Sequence, residues 1–159
     1  MIFSINKNII SCGLLCVVVF LQSCSDKELS GEDEIRQFIE KGVEAAENSS
    51  SSDLADLIRE DYNDEKKLNK QQITKLLRAY FFRHKNIFLL TKIREIEFLT
   101  DEEAIVTLHV AMAGSVISDT SMLSSLRARI YKFEFKLVKE DEWLLRHAKW
   151  QRASFGDMK

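Results

Sequence analysis

The side chains in this chain that could carry chemistry are few and widely spread. Three cysteines, Cys12, Cys16 and Cys24, lie near the N-terminus, and three histidines, His84, His109 and His147, fall on separate predicted elements. A zinc site needs about four nitrogen or sulfur ligands converging at short spacings, and neither a paired-cysteine motif nor an HExxH helix is present. Glycine-rich phosphate loops and strained nucleophile elbows are also missing from a chain with only 5 Gly and no Pro. General acid–base work remains open, and it requires a histidine or carboxylate held by an orienting partner. In EAIVTLHVAMAG, Ala104, Val106, Leu108, Val110 and Met112 alternate with Ile105, Thr107, His109, Ala111 and Ala113. His109 therefore either projects into a cavity lined by small side chains or faces water. His84 closes an amphipathic helix, where an imidazolium complements the helix dipole. His147 shares a basic strand with Arg146, Lys149 and Arg152, read as a solvated face or, with Arg129, as a rim for an anionic ligand. No catalytic residue, metal or cofactor is expected.

The most specific chemistry belongs to Cys24. Lys7 and the free amine form a positive n-region, and Ile9 to Leu21 form an apolar h-region that is too short for a span of about 20 residues. The run ends at Leu21-Gln22-Ser23-Cys24, which resembles the bacterial lipobox, with Gln22 departing from the usual small or apolar residue. That resemblance implies a diacylglyceryl group on the Cys24 sulfur, cleavage before it and acylation of the freed amine. One acyl chain binds a membrane marginally, whereas two or three anchor at roughly 0.8 kcal/mol per buried CH₂. Cys12 and Cys16 would leave with the signal, so no intramolecular disulfide or cysteine metal site is expected in the mature chain. Ser25 in place of Asp after the cysteine resembles the outer-membrane-directed pattern. The expectation is a bacterial cell-envelope protein, lipid-anchored and periplasm-facing, on the outer membrane rather than the inner.

Composition sets the remaining bounds. Of 159 residues, 45% are hydrophobic and 30% charged, as in an ordinary globular domain. Removing residues 1–23, whose charged side chain is Lys7, leaves 22 basic against 25 acidic residues. A nucleic-acid partner needs a concentrated basic surface, so none is expected.

The elements that must position any site follow from periodicity. Ser30 with Asp33 signals a helix over 31–47 that carries Ile35, Phe38, Ile39, Val43 and Ala46 on one face. NSSSS breaks it, and its last serine, Ser52, caps a short second helix predicted through Leu54, Leu57 and Ile58, ending near Asp61-Tyr62-Asn63-Asp64. Asn69 and Gln72 form a capping box for a third helix with Ile73, Leu76, Leu77, Tyr80, Phe81 and His84 on one arc. Phe82 falls opposite, which predicts a second buried contact or a frayed end. After residue 86 the pattern becomes β-branched and aromatic in four long stretches joined by short turns, an antiparallel sheet with bulges near Ile93–Ile96 and His147–Ala148. Helices followed by strands give an α+β fold, with N-terminal helices packed on a strongly curved four-stranded antiparallel sheet.

This order, the Asp61-Tyr62 pair and the stretches AYFFRHKNIFLLTKI and RIYKFEFKLVKEDEWLLRHAKWQRA resemble the nuclear transport factor 2-like, or SnoaL-like, bacterial lipoproteins. The resemblance implies a cystatin-like cone over residues 31–155, after a signal peptide at 1–23 and a lipidated tether at 24–30. It also implies a pocket between the concave sheet and the helices, for which Tyr80, His84, His109, Arg129 and Tyr131 are the candidate lining residues. Ketosteroid isomerase and scytalone dehydratase perform proton transfer in such a cone with Tyr, Asp and His groups. Here Tyr62, Tyr80 and Tyr131 are available, but no acidic residue falls on an apolar strand face, and Glu97 and Glu134 read as outward or at a register slip. The expected function is a non-enzymatic module binding a small apolar or weakly anionic ligand or an envelope protein. An isomerase or hydrolase and a structural homodimer are the alternatives. The segment 115–128, rich in apolar residues, reads as a lid over the cone or a cover for a sheet edge.

Overall fold

The computed structural model describes residues 30–84, 86–114 and 129–158. Cys24, the signal-like segment and the predicted lid at 115–128 lie outside the described residues. The described residues form three helices, α1 (Gly31–Glu47), α2 (Ser51–Asp56) and α3 (Lys70–Arg83), with a strand between the second and third. Each begins where a short polar side chain satisfies an otherwise unpaired amide. Ser30 Oγ accepts from the Asp33 N–H at 3.2 Å and Ser50 Oγ from the Asp53 N–H at 3.3 Å. Asn69 and Gln72 cap each other reciprocally, both at 3.0 Å.

The sheet contains five strands rather than four, in the order β1-β5-β4-β3-β2. The antiparallel part, β2 (Phe88–Phe98), β3 (Glu103–Ala113), β4 (Arg129–Lys139) and β5 (Trp143–Arg152), follows the sequence pattern. The fifth strand, β1 (Ile58–Asp64), occupies the stretch predicted as the end of the second helix and its turn, and it runs parallel to β5. Its sequence, IREDYND, has no strand signal of its own. The strand forms because the free edge of β5 offers unpaired backbone groups and because its charges find partners. Arg59 pairs with Asp61 at 2.9 Å, Glu60 with Lys70 at 2.7 Å, and Asp61 also faces Arg146 at 3.5 Å. Pairing is irregular between Ile58 and Asn63.

Two extra residues curl the sheet. Ile93 pairs with Leu108 and Glu95 with Thr107, so Arg94 is the bulge of β2. Lys136 pairs with His147 and Leu137 with Leu145, so Arg146 is the bulge of β5. Each bulge increases the local twist and bends its strand over the helices. The main core joins Ile35, Phe38 and Ile39 of α1 to Ala104, Val106, Leu108 and Val110 of β3. A second cluster, Ile58, Tyr62, Ile73 and Ala148, ties β1 and α3 to β5. On the convex face, Ala111 and Ile130 are buried under Met158 of a terminal 3-10 turn, Phe155–Met158. Phe82 lies inside α3 and is 86% exposed, so the buried contact predicted for it does not occur within the described residues.

One polar contact fastens the first helix to the far end of the sheet. Glu34 accepts from Lys139 Nζ at 2.6 Å and from Trp143 Nε1 at 3.0 Å. The Lys139 hydrogen bond, with help from Trp143, holds its carboxyl below the ordinary value of 4.5. Stability from this contact is present above that ordinary value and is lost as pH falls through the lowered one. Glu34→Gln is therefore expected to lower the melting temperature at about pH 7, and the gap to the parent protein is expected to narrow as the pH is taken down to about 3. A difference that persists undiminished in acid would refute the assignment.

Candidate functional site

The curled sheet and the three helices enclose a cavity of about 440 Å³. This volume lies within the range of sites for small organic molecules. Its helical wall comes from Phe38, Ile39 and Val43 of α1 and Ile73, Leu77 and Phe81 of α3, and its floor from Leu108 and Val110. Along β4, Tyr131, Phe133 and Phe135 project on one side because alternate strand residues share a face. Their rings form a continuous row, with centroids 6.3 and 5.4 Å apart, and Phe133 stacks on Trp150 of β5 at 6.4 Å. The alternation in YKFEFKL made this row legible from sequence.

The polar groups among the described lining residues are Tyr62, Tyr80, Thr91, Tyr131, Trp150, Arg83 and Arg129. No carboxylate and no histidine is among them. Burial, with a smaller contribution from the Asp64 carboxylate, pushes the Tyr62 hydroxyl far above its ordinary value, so it stays a neutral phenol. Among the described residues no group of three His, Cys, Asp or Glu side chains could hold a metal ion.

Of the five candidate lining residues, Tyr80, Arg129 and Tyr131 do line the cavity, whereas His84 and His109 do not. His84 terminates α3, donating its N–H to the Tyr80 carbonyl at 3.0 Å, and its ring lies 4.4 Å from that of Tyr80. His109 lies on the convex side. Leu108 and Val110 face the cone, so the residue between them must face away. It is nevertheless only 8% exposed, because the terminal 3-10 turn covers this part of the sheet. Its Nδ1 accepts from Arg94 Nε at 3.0 Å, and Arg94 also donates to the Asp157 carbonyl. Burial first, then Arg94, Lys132 and Lys92, lower its pKa against the opposing pull of Asp157. The folded imidazole thus refuses a proton that the unfolded chain accepts near the ordinary value of 6.5, and stability falls as pH drops through that value. His109→Gln keeps an acceptor for Arg94 and is expected to flatten this fall, measured by denaturant melts at about pH 7 and about pH 5. Equal pH slopes in parent and variant would refute it.

The basic rim suggested by His147 and its neighbours is not assembled. His147 meets Asn63 Oδ1 at 3.1 Å, Arg146 faces Asp61 and Glu103, and Lys149 faces Glu134 at 3.1 Å. Arg129 stands apart from them in the cavity wall. Sequence reasoning missed one buried acid, Asp64, which is 3% exposed. Its Oδ1 accepts from the amides of Lys66 and Leu68 at 2.8 and 2.9 Å, and its buried Oδ2 has no partner among the described residues. The turn-forming D-E-K-K-L sequence was the available signal, but the burial comes from β1, which that sequence does not announce.

No protein-family profile matches this chain, and no curated protein sequence matches it either. Solved structures do. A Novosphingobium aromaticivorans protein assigned by name only as a scytalone dehydratase is 15% identical and superposes with a TM-score of 0.64, over 77% of this chain and 84% of that one. A Nostoc punctiforme domain of unknown function with a cystatin-like fold is 16% identical, with a TM-score of 0.59 over 77% of each chain. An NTF2-like protein of unknown function from Shewanella oneidensis is 16% identical, with a TM-score of 0.55 over 76% of this chain and 98% of that one. The chain has the cystatin-like α+β cone of the nuclear transport factor 2-like proteins. At these identities the likeness extends to the fold alone.

Proposed function

We propose that this chain is a cell-envelope protein, held to a bacterial membrane by lipid on Cys24, whose cone binds a small apolar molecule without transforming it. The observation that carries the binding reading is a cavity of about 440 Å³ whose described lining combines an aromatic row and aliphatic walls with no carboxylate or histidine. A site that moves protons pairs an acid with a base within reach of the ligand, and in the described lining the phenols have no carboxylate or imidazole to work with. They are good at orienting a bound molecule. The envelope reading rests on Leu21 to Cys24 and on Ser25, and among the described residues no helix is long and apolar enough to cross a membrane. Retention of a neutral apolar probe by the full chain, and its loss when the cavity is filled from α1, tests the binding reading.

A proton-transfer enzyme of the dehydratase or isomerase type is the second reading, favoured by the buried Asp64 Oδ2, two residues from Tyr62 and without a partner among the described residues. Asp64 is absent from the described cavity lining, and its other oxygen already holds the turn into α3. For that reason binding is the conclusion and catalysis the alternative.

A further inference from the structure

Apart from Tyr62, Tyr80, Tyr131, Thr91 and Trp150 the described cavity lining is apolar, and its two charged groups are Arg83 and Arg129. Leu89 pairs with Met112, and Met112 with Arg129, so one row across the sheet finishes at a guanidinium in the wall. The last residue of α3, Arg83, lines the same cavity. Tyr131 stands two residues from Arg129 on its strand, and Tyr80 three residues from Arg83 on its helix, spacings that keep each pair on one face. Both arginines are exposed. Arg36, Arg59 and Arg146 each face a carboxylate, but among the described residues neither Arg83 nor Arg129 has one within ion-pair distance. Arg83 donates Nε to the Ala79 carbonyl at 3.2 Å, which leaves its two terminal nitrogens for another acceptor. Two cations bordering a cavity whose described lining holds no acid attract negative charge. A guanidinium also presents a planar fork matched to carboxylate or phosphate oxygens. A larger polyanion such as a dinucleotide would need further cations along its length, and the described lining has only Arg83 and Arg129.

We propose that the cone takes an amphiphile whose apolar body fills the cavity and whose single anionic head, a carboxylate or a phosphate monoester, is held by Arg83 and Arg129. This rests on the binding reading above and adds the head group to it. The test offers tetradecanoate, tetradecyl phosphate and tetradecanol at equal concentration to the full chain in a non-ionic detergent, with retained ligand counted by native mass spectrometry. The anions are expected to be retained about tenfold or more over the alcohol, the worth of a charge-assisted contact. Combining Arg83→Gln with Arg129→Gln should bring the ratio close to one, with a melting temperature and far-UV circular dichroism like the parent's showing that the variant has kept its fold. The stronger of the two anions identifies the head. Equal retention of all three by the parent protein would overturn the anionic-head inference while the binding reading stands. An anion preference that survives both substitutions would overturn the assignment to these arginines. Retention of none of the three would overturn the binding reading along with it.

Discussion

Gly42→Phe is expected to raise the melting temperature by about 3 °C and to abolish retention of a neutral apolar probe in the same protein. Gly42 sits in the middle of α1, where glycine is roughly 1 kcal/mol less favourable than alanine because its backbone loses more freedom on folding. Nothing in its backbone conformation demands glycine, since its φ is not positive. Nor does crowding: a Cβ built there would meet only Leu57 Cδ1, at an ordinary 3.8 Å. Gly42 and Leu57 both line the cavity, so a larger side chain at 42 grows into open space. An unfavourable residue kept beside a void is what the proposed binding role would require of this helix, because filling the void would gain stability at the expense of the site. Phe should gain helix propensity and apolar contact while occupying the volume a ligand needs. Calorimetry and displacement of N-phenyl-1-naphthylamine read the two effects separately. A more stable variant that binds the probe unchanged would show that the cavity is not the binding site, and a destabilised one would show that the void cannot accept the ring.

Cys24→Ser is expected to eliminate incorporation of an alkyne-tagged fatty acid completely and to leave a chain whose intact mass still includes residues 1–23. Serine preserves size and hydrogen bonding but not the sulfur nucleophile, and the thiolate is the form that attacks. Cleavage should fail too, because the signal is expected to be removed only after the sulfur has been lipidated. The consequence for the folded domain is geometric. Ser30 caps α1, so with lipid on Cys24 the six peptide steps between them would hold the domain within about 20 Å of that anchor. Intact mass is the decisive readout, because an uncleaved apolar segment could keep the variant in the membrane fraction. Persistent labelling of the serine variant, or a parent protein that begins at Met1, would end the lipid-anchor reading.

The parts of this fold that were legible in the sequence depend on neighbours within a few residues. Ser30 and Asn69 each satisfy an amide three residues away, so those helix starts could be read from short windows, whereas the cap expected of Ser52 falls to Ser50 because any serine of that run offers the same hydroxyl. The alternation of Tyr131, Phe133 and Phe135 with Lys132, Glu134 and Lys136 marked the two faces of β4, and the break near Ile93 marked the bulge at Arg94. The α+β order and the cone resemblance followed from these elements, as did the placing of Tyr80, Arg129 and Tyr131 among the candidates.

Tertiary structure alone decided the fifth strand, the covering of His109, the burial of Asp64 and the membership of the cavity wall. β1 depends on an edge of β5 more than eighty residues later, and its own sequence reads as a turn. Alternation placed His109 opposite Leu108 but could not show that the chain's last described turn lies over it. Apolar side chains along one face predict contact with something, yet whether that contact is another side chain or an empty volume depends on how far two bulges bend the sheet from the helices. Hydrogen bonds within a turn of chain are encoded where they form. Exclusion of water is a property of surfaces brought together from distant parts of the chain, and no short window contains it.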